Sequence, residues 1–182
     1  MTTKITLADI QRTIDGVAEL ANRNRWKSNA QWTRAVNNGL CRLAQSKGLD
    51  TCARSCASAR WREYLFDVLC LETRDSDVEG QPQEYLDSPL VVECEWGNRA
   101  CITHDFEKLL LARADVRLMI FQASGAKRAE AIIEHLLNYV RVYRRSATGD
   151  RYIFAVYCAS TDSLMYREYI HQLPERREVK AA

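Results

Sequence analysis

The sequence predicts an α/β domain, in which a mixed central sheet is flanked by helices and preceded by an N-terminal helical segment. Through the first third of the chain, apolar residues recur at helical spacing. Further on, short apolar runs alternate with amphipathic stretches in the order β, β, α, β, α, β, which is typical of helices packed on a sheet. We expect one domain, made of a helical segment at 1–60, an α/β core at 61–173 and a charged tail at 174–182.

The composition places the chain among ordinary globular proteins. Apolar residues make up 47% of its 182 residues and charged residues 27%, with seven glycines and three prolines, so disordered and fibrous classes are excluded. No apolar run approaches the ~18 residues of a membrane span, and Met1–Asp9 lacks the core of a signal peptide. We expect a cytoplasmic protein without a membrane partner. The net charge of +2 neither requires nor excludes a nucleic-acid partner.

Three helices are predicted in the N-terminal segment. The first begins at Thr6 or Asp9 and carries an apolar stripe of Ile10, Ile14, Val17 and Leu20. The second begins at Ser28 or Asn29, carries Trp32, Val36, Leu40 and Leu43, and ends at Lys47-Gly48. A short third helix is predicted over Asp50–Trp61.

The remaining elements follow from short apolar runs and helical stripes. Strands are predicted at Tyr64–Leu71, Pro89–Gly97, Val116–Gln122 and Tyr152–Cys158. Helices are predicted at Asp105–Ala114, Ala126–Tyr143 and Leu164–Ile170, and a loop or hairpin at Glu72–Ser88.

Three acidic residues lie inside predicted strands. Glu93 and Glu95 are two apart and therefore share one face, while Asp67 lies midway along an apolar strand. A buried carboxylate needs a cation, hydrogen bonds or a metal, and converging carboxylates suit Mg²⁺ or Mn²⁺. Two interpretations stay open. The acids form a metal site, or they have ordinary structural positions: Glu93 or Glu95 faces solvent or pairs with an arginine, and Asp67 lies at the end of a strand.

The pattern of these acids resembles the PD-(D/E)XK nuclease superfamily, which has the restriction-endonuclease-like fold. Asp67 in YLFDVL and Glu93 and Glu95 in LVVECEWG carry the resemblance, and DFEKLLLARADVRLMIF fits the helix and strand that follow in the family's α-β-β-β-α-β core. The resemblance covers roughly residues 64–160. The chain departs from the family by Phe66 before the Asp and by Glu95 at the usual Lys position.

The resemblance implies a catalytic set for phosphodiester hydrolysis. Asp67 and Glu93 would bind Mg²⁺ or Mn²⁺, with the Cys94 carbonyl as a third ligand. Glu95 would bind the metal or orient the attacking water. Because some members of the superfamily move the Lys to the following helix, Lys108 is a candidate for the missing cation; the alternative is a surface Lys paired with Asp105.

Basic and aromatic residues provide candidate contacts to nucleic acid. Trp96 and Arg99 follow the acidic strand, Lys127 and Arg128 begin the long helix, and Arg144 and Arg145 follow it. The alternatives are core packing for Trp96 and a solvated helix face for the cations.

The function expected from these features is a metal-dependent nuclease acting on DNA, with a homodimer as an open option. The alternative is a catalytically inactive nuclease-fold protein that binds DNA or protein, which Glu95 in place of Lys favours. A third class, a redox or thiol enzyme built on Cys52 and Cys56, rests only on their helical spacing.

Overall fold

The computed structural model of the protein describes residues 4–54, 56, 59–62, 64–79 and 81–173. It confirms an α/β fold, in which the described residues form four helices and one six-stranded mixed sheet. The charged tail predicted at 174–182 lies outside the described residues. No helix in the described part of the chain is both long and apolar enough to cross a membrane.

Two helices precede the sheet and two lie between its parallel strands. The helices are α1 (Leu7–Asn24), α2 (Asn29–Ser46), α3 (Arg99–Leu111) and α4 (Ala126–Val142). The strands are β1 (Asp50–Ala53), β2 (Val68–Arg74), β3 (Glu84–Glu95), β4 (Val116–Ala123), β5 (Arg151–Cys158) and β6 (Ser163–Ile170).

The strands lie in the sheet in chain order, β1-β2-β3-β4-β5-β6. The first three form an antiparallel meander, β3, β4 and β5 are mutually parallel, and β6 pairs antiparallel with β5. The two parallel pairs are connected through α3 and α4, as parallel strands require a crossover. The carboxyl ends of β3, β4 and β5 therefore share one edge of the sheet.

Each face of the sheet carries its own hydrophobic core. One cluster packs α1 and α2 against side chains such as Val92, Leu118 and Ile153. The other packs α3 and α4 against the alternate side chains, including Val91, Met119 and Phe154. Because both faces are covered, the central strands are apolar almost throughout, and the few polar side chains among them are informative.

The first two predicted helices are confirmed. Thr6 caps α1 in a capping box with Asp9, and Ile10, Ile14 and Val17 are buried, although Leu20 is 41% exposed. Ser28 is the N-cap residue of α2, which ends before Gly48 in the left-handed conformation that glycine favours (φ 77°).

The third predicted helix, over Asp50–Trp61, is wrong. Residues 50–53 form β1, paired antiparallel with the start of β2 from Asp50↔Leu71 to Ala53↔Val68. The sheet thus begins inside the segment that the sequence assigns to helices. Pairing with a strand about twenty residues further along overrides the local helical spacing.

The C-terminal helix predicted at Leu164–Ile170 is also wrong. These residues lie in β6, which pairs with all of β5 in a hairpin whose turn contains Asp162 at φ 47°. Their mixed pattern fits an edge strand that is half-buried on both faces.

Three boundaries differ from the prediction near the acids. Asp67 immediately precedes β2, so it lies at a strand end and not at its centre. β3 begins at Glu84, five residues before Pro89, because the acidic stretch pairs with β2 across a bulge. α3 begins at Arg99 with Asn98 as its N-cap, so Asp105 is inside the helix and does not start it.

Candidate active site

Asp67 is attached directly to the acidic strand β3. Its Oδ2 accepts a hydrogen bond of 2.9 Å from the backbone N–H of Cys94. The next residue, Val68, pairs with Val92 in the β2–β3 ladder. This register brings the Asp67 carboxylate beside the segment that contains Glu93, as the sequence predicts.

Glu93 is the one carboxylate among the described residues that is almost completely buried, with 2% of its surface exposed. Alternation along β3 places it on the same face as Val91, beneath α3. Lys108 on α3 extends its Nζ to 2.7 Å from Glu93 Oε1 and to 2.9 Å from Asp105 Oδ1. Glu93 Oε1 has no hydrogen bond of good geometry within the described residues, so this contact is a charge pair.

Lys108 makes the contact with Asp105 that the sequence offers as one alternative, together with a contact that the sequence does not predict. It pairs with Asp105 three residues earlier on α3, and it also reaches the buried acid of β3. Asp105, the partner that the three-residue spacing predicts, orients this lysine.

The pKa of Glu93 is raised to about 8, chiefly by burial. Lys108 opposes this shift, while the nearby Asp67 and Asp105 carboxylates contribute to it. Desolvation lowers the pKa of Lys108, but its contacts with Glu93 and Asp105 outweigh this and raise it above its ordinary value. The site thus holds a carboxyl group that titrates near neutrality beside a lysine that stays charged.

Glu95 is bonded within its own turn. It lies two residues beyond Glu93 on the same face of β3, and its Oε1 accepts a hydrogen bond from the backbone N–H of Gly97. A Cβ at position 97 would lie 2.8 Å from this oxygen and 3.2 Å from Cys101 Cβ, so glycine permits the close approach. Glu95 is half-buried at the mouth of the site.

A metal ion would need more than protein ligands here. Among the described residues, no three His, Cys, Asp or Glu side chains are close enough together to hold one. Mg²⁺ commonly takes one or two carboxylates and completes its shell with water and substrate oxygens. Asp67, just before β2, and Glu93 on β3 are two carboxylates that lie close enough to influence each other electrostatically.

Trp96 is part of the core on the other side of the turn. Its Nε1 donates a 2.8 Å hydrogen bond to Thr33 Oγ1 on α2, and its ring lies 6.2 Å from that of Trp32. It is half-buried, and its carbonyl accepts a hydrogen bond from the Gln122 side chain. Core packing, the alternative left open for Trp96, describes its contacts.

The candidate basic contacts fall into two groups. Arg99 begins α3, and Lys127 and Arg128 begin α4, so all three are exposed at the sheet edge where β3 and β4 end. Arg144 and Arg145 are exposed beyond the other end of α4. A helix of 17 residues separates the two groups by about 25 Å. These candidate contacts therefore do not form one continuous basic surface.

Cys52 and Cys56 do not form a pair. Cys52 lies in β1 and packs in the cluster beneath α3 and α4, whereas Cys56 packs in the opposite cluster. Cys52 and Cys56 are therefore not on consecutive turns of a helix. The prediction of a site built on these two cysteines depended on that spacing and is not supported.

Comparison of the chain with models of protein families, with curated proteins and with solved structures finds no match. The site therefore rests on its own geometry.

Proposed function

We propose that the protein is a metal-dependent nuclease that hydrolyses phosphodiester bonds, with DNA as its substrate. The observation that carries the proposal is the contact between Lys108 Nζ and Glu93 Oε1, which are 2.7 Å apart. Glu93 is followed on β3 by Cys94, whose backbone N–H donates a hydrogen bond to Asp67. In the superfamily that the sequence resembles, two acids and a lysine on adjacent elements form the catalytic set. Here the lysine comes from the helix and not from the strand.

The order of the elements supports the same proposal. From α2 to β4 the chain runs helix, three antiparallel strands, helix and a strand parallel to the third. The family that the sequence resembles has the same α-β-β-β-α-β core order, which supports the proposal. In this chain the candidate acids lie just before β2 and near the end of β3, and the candidate lysine lies on α3.

The donor set suggests how a metal would be held. Asp67 and Glu93 would bind Mg²⁺ or Mn²⁺, with the Cys94 carbonyl as a further oxygen. When bound, such a cation neutralises phosphate charge and makes water a better nucleophile.

The chain's own residues would supply charge and orientation. Lys108, fixed by Asp105, would stabilise the negative charge that develops on the phosphate, because a preorganised cation stabilises a transition state without reorganising. Glu95 would orient the attacking water from the mouth of the site. The phosphate backbone would be bound by Arg99, Lys127 and Arg128. These exposed cations lie at the same edge of the sheet as the acids, and cations of this kind attract the phosphates of DNA.

The test is a cleavage assay on plasmid and oligonucleotide DNA with Mg²⁺ or Mn²⁺, and with EDTA as the metal-free control. We expect Asp67→Asn and Glu93→Gln to lower the rate by roughly 100-fold or more, and Lys108→Met by at least ~10-fold. Glu107→Gln, at an exposed position next to Lys108 on α3, is the matched control and should retain the wild-type rate. Equal rates in all four variants, or no cleavage by folded wild-type protein, would overturn the proposal.

A non-catalytic role is the second candidate, and the same ion pair favours it. Lys108 already neutralises Glu93, and the described residues bring no third ligand to the pair. On this alternative the protein binds DNA or another protein without turnover. Binding measured by fluorescence anisotropy would then survive Asp67→Ala and Glu93→Ala, while metal-dependent cleavage abolished by either change would exclude it.

A further inference from the structure

A polar cavity lies away from the candidate active site, between the end of α3 and the connection from α4 to β5. It has a volume of about 620 Å³, within the usual range for small-ligand sites. Its polar lining consists of Arg113, Arg117, Tyr143, Arg145 and Asp150. Asp67, Glu93, Glu95 and Lys108 do not line it.

Arg117 is the unusual member of this lining. It is a residue of the central strand β4, and only 6% of its surface is exposed. Its Nε and Nη2 both donate to the Ala112 carbonyl, at 3.2 and 2.8 Å, and the guanidinium lies over the Tyr152 ring at 5.2 Å. Its Nη1 is buried and has no acceptor among the described residues. A buried donor without a partner costs free energy unless a ligand or water completes it.

The charge of the cavity is not balanced by its own residues. Three guanidinium groups line it against one carboxylate, Asp150, which lies 3.4 Å from Arg117 Nη2. The other Asp150 oxygen accepts a hydrogen bond from the Ala147 backbone, so this carboxylate is held by its own loop. Arg113 and Arg145 are exposed and have no ion pair among the described residues. The lining therefore carries an excess of two positive charges.

We propose that this cavity binds a small phosphate-bearing ligand. A dianionic phosphate group matches the excess of two charges, where a single carboxylate would match only half. Arginine is the residue best suited to hold phosphate oxygens, because its planar donors bind them in pairs. The phosphate would bind the exposed Arg113 and Arg145 at the open side of the cavity, while the Arg117 guanidinium in the cavity wall adds a third positive charge.

This site is independent of the proposed nuclease activity. None of the residues assigned to hydrolysis lines the cavity, so its ligand is a separate small molecule and not the scissile phosphate. Failure of one proposal therefore leaves the other standing.

The test measures binding of inorganic phosphate and of a simple phosphate monoester by calorimetry and ³¹P NMR, at constant ionic strength. Acetate is the carboxylate comparison. We expect the phosphate ligands to bind and acetate to bind at least ~10-fold more weakly, because charge-assisted hydrogen bonds are worth more with the dianion. Arg113→Ala and Arg145→Ala should each weaken phosphate binding by roughly tenfold.

Arg144→Ala provides the matched control, because Arg144 is exposed and adjacent to Arg145 but does not line the cavity. It should bind phosphate like the wild type. Arg117→Met is the buried variant; since it can fail to fold, the two exposed variants decide the outcome. No phosphate binding by the wild type, or equal weakening by Arg144→Ala, would overturn the proposal. Arginine variants that weaken DNA binding while phosphate itself does not bind would assign these residues to a nucleic-acid surface instead.

Discussion

The ammonium group of Lys108 lies 2.7 Å from Glu93 Oε1 and ties helix α3 to the interior of the sheet. The acid is 98% buried, whereas the lysine side chain is 38% exposed. Solvent therefore reaches the cation but not the anion. An isolated carboxylate in such a position is strongly disfavoured, so the lysine and its partner Asp105 have a structural effect whatever the catalytic role.

Removing the lysine should destabilise the fold. We expect Lys108→Met to lower the free energy of unfolding by about 1–3 kcal/mol at pH 8, below the cost for a fully buried pair because the lysine is partly exposed. The double variant Lys108→Met/Glu93→Gln should recover part of the loss, since the buried acid that loses its partner is then replaced as well. Urea denaturation of the wild type, Lys108→Met, Glu93→Gln and the double variant gives the coupling energy between the two side chains. Additive losses, with no recovery, would contradict a direct interaction.

The pKa of Glu93 predicts how stability changes with pH. Its folded value of about 8 lies above its ordinary value of 4.5, because burial favours the neutral acid. The folded state therefore binds this proton more tightly than the unfolded chain does. The contribution is fully present below pH 4.5 and is lost as the pH rises to 8, at roughly 1.4 kcal/mol for each pKa unit of difference.

Glu93→Gln cannot titrate at this position and isolates the effect. In metal-free buffer, the stability of the wild type relative to this variant should fall between pH 5 and pH 8. Urea denaturation at both pH values measures the change, and Glu107→Gln on the surface of α3 is the control. Parallel profiles for wild type and Glu93→Gln would contradict the raised pKa.

The sequence predicts elements well where local pattern and tertiary pairing agree. The stripes of α1, α2 and α4 and the apolar runs of β4 and β5 are confirmed, since each buries a continuous apolar surface. β1 and β6 are the outermost strands, and both were predicted as helices. Their structure comes from hydrogen bonds to a neighbouring strand, which no local window contains.

The candidate site divides in the same way. Alternation along β3 predicts that Glu93 and Glu95 share one face, because a period of two follows from strand geometry alone, and in the structure this is the face of Val91. The contact between Lys108 and Glu93 depends on where α3 crosses the sheet. The sequence is compatible with this contact but does not predict it. The Arg117 cavity depends on two connections that meet in space, at 110–113 and 143–150, and no spacing along the chain indicates it.

The turn after β3 is joined to α2 by a partly buried hydrogen bond from Trp96 Nε1 to Thr33 Oγ1. Thr33→Val keeps the shape of the side chain but removes the acceptor. We expect a loss of about 1 kcal/mol in unfolding free energy and a changed tryptophan emission spectrum, because the indole N–H loses its partner. Thr33→Ser retains a hydroxyl and should stay close to the wild type. Equal stability of the Val and Ser variants would show that the bond contributes nothing.

At the N-terminus, Asp9 should make stability sensitive to acid. Partial burial acts to raise its pKa, but hydrogen bonds from the Thr6 side chain and backbone and the Lys47 ammonium at 3.0 Å outweigh it and lower the pKa to about 2. Since the folded value lies below the ordinary 3.8, this stabilisation is present above pH 3.8 and is lost as the pH falls towards 2.

Asp9→Ala should therefore unfold more easily than the wild type at pH 6, by about 1–2 kcal/mol, through loss of the capping box of α1 and the Lys47 contact. The difference should shrink towards pH 2, because the wild-type carboxyl group is then becoming protonated and loses the same interactions. Thermal unfolding followed by circular dichroism at both pH values measures it. Asp77→Asn, at an exposed loop position, controls for the general effect of removing a negative charge. A difference that stays constant from pH 6 to pH 2 would mean that Asp9 stabilises the helix through its shape and not through its charge.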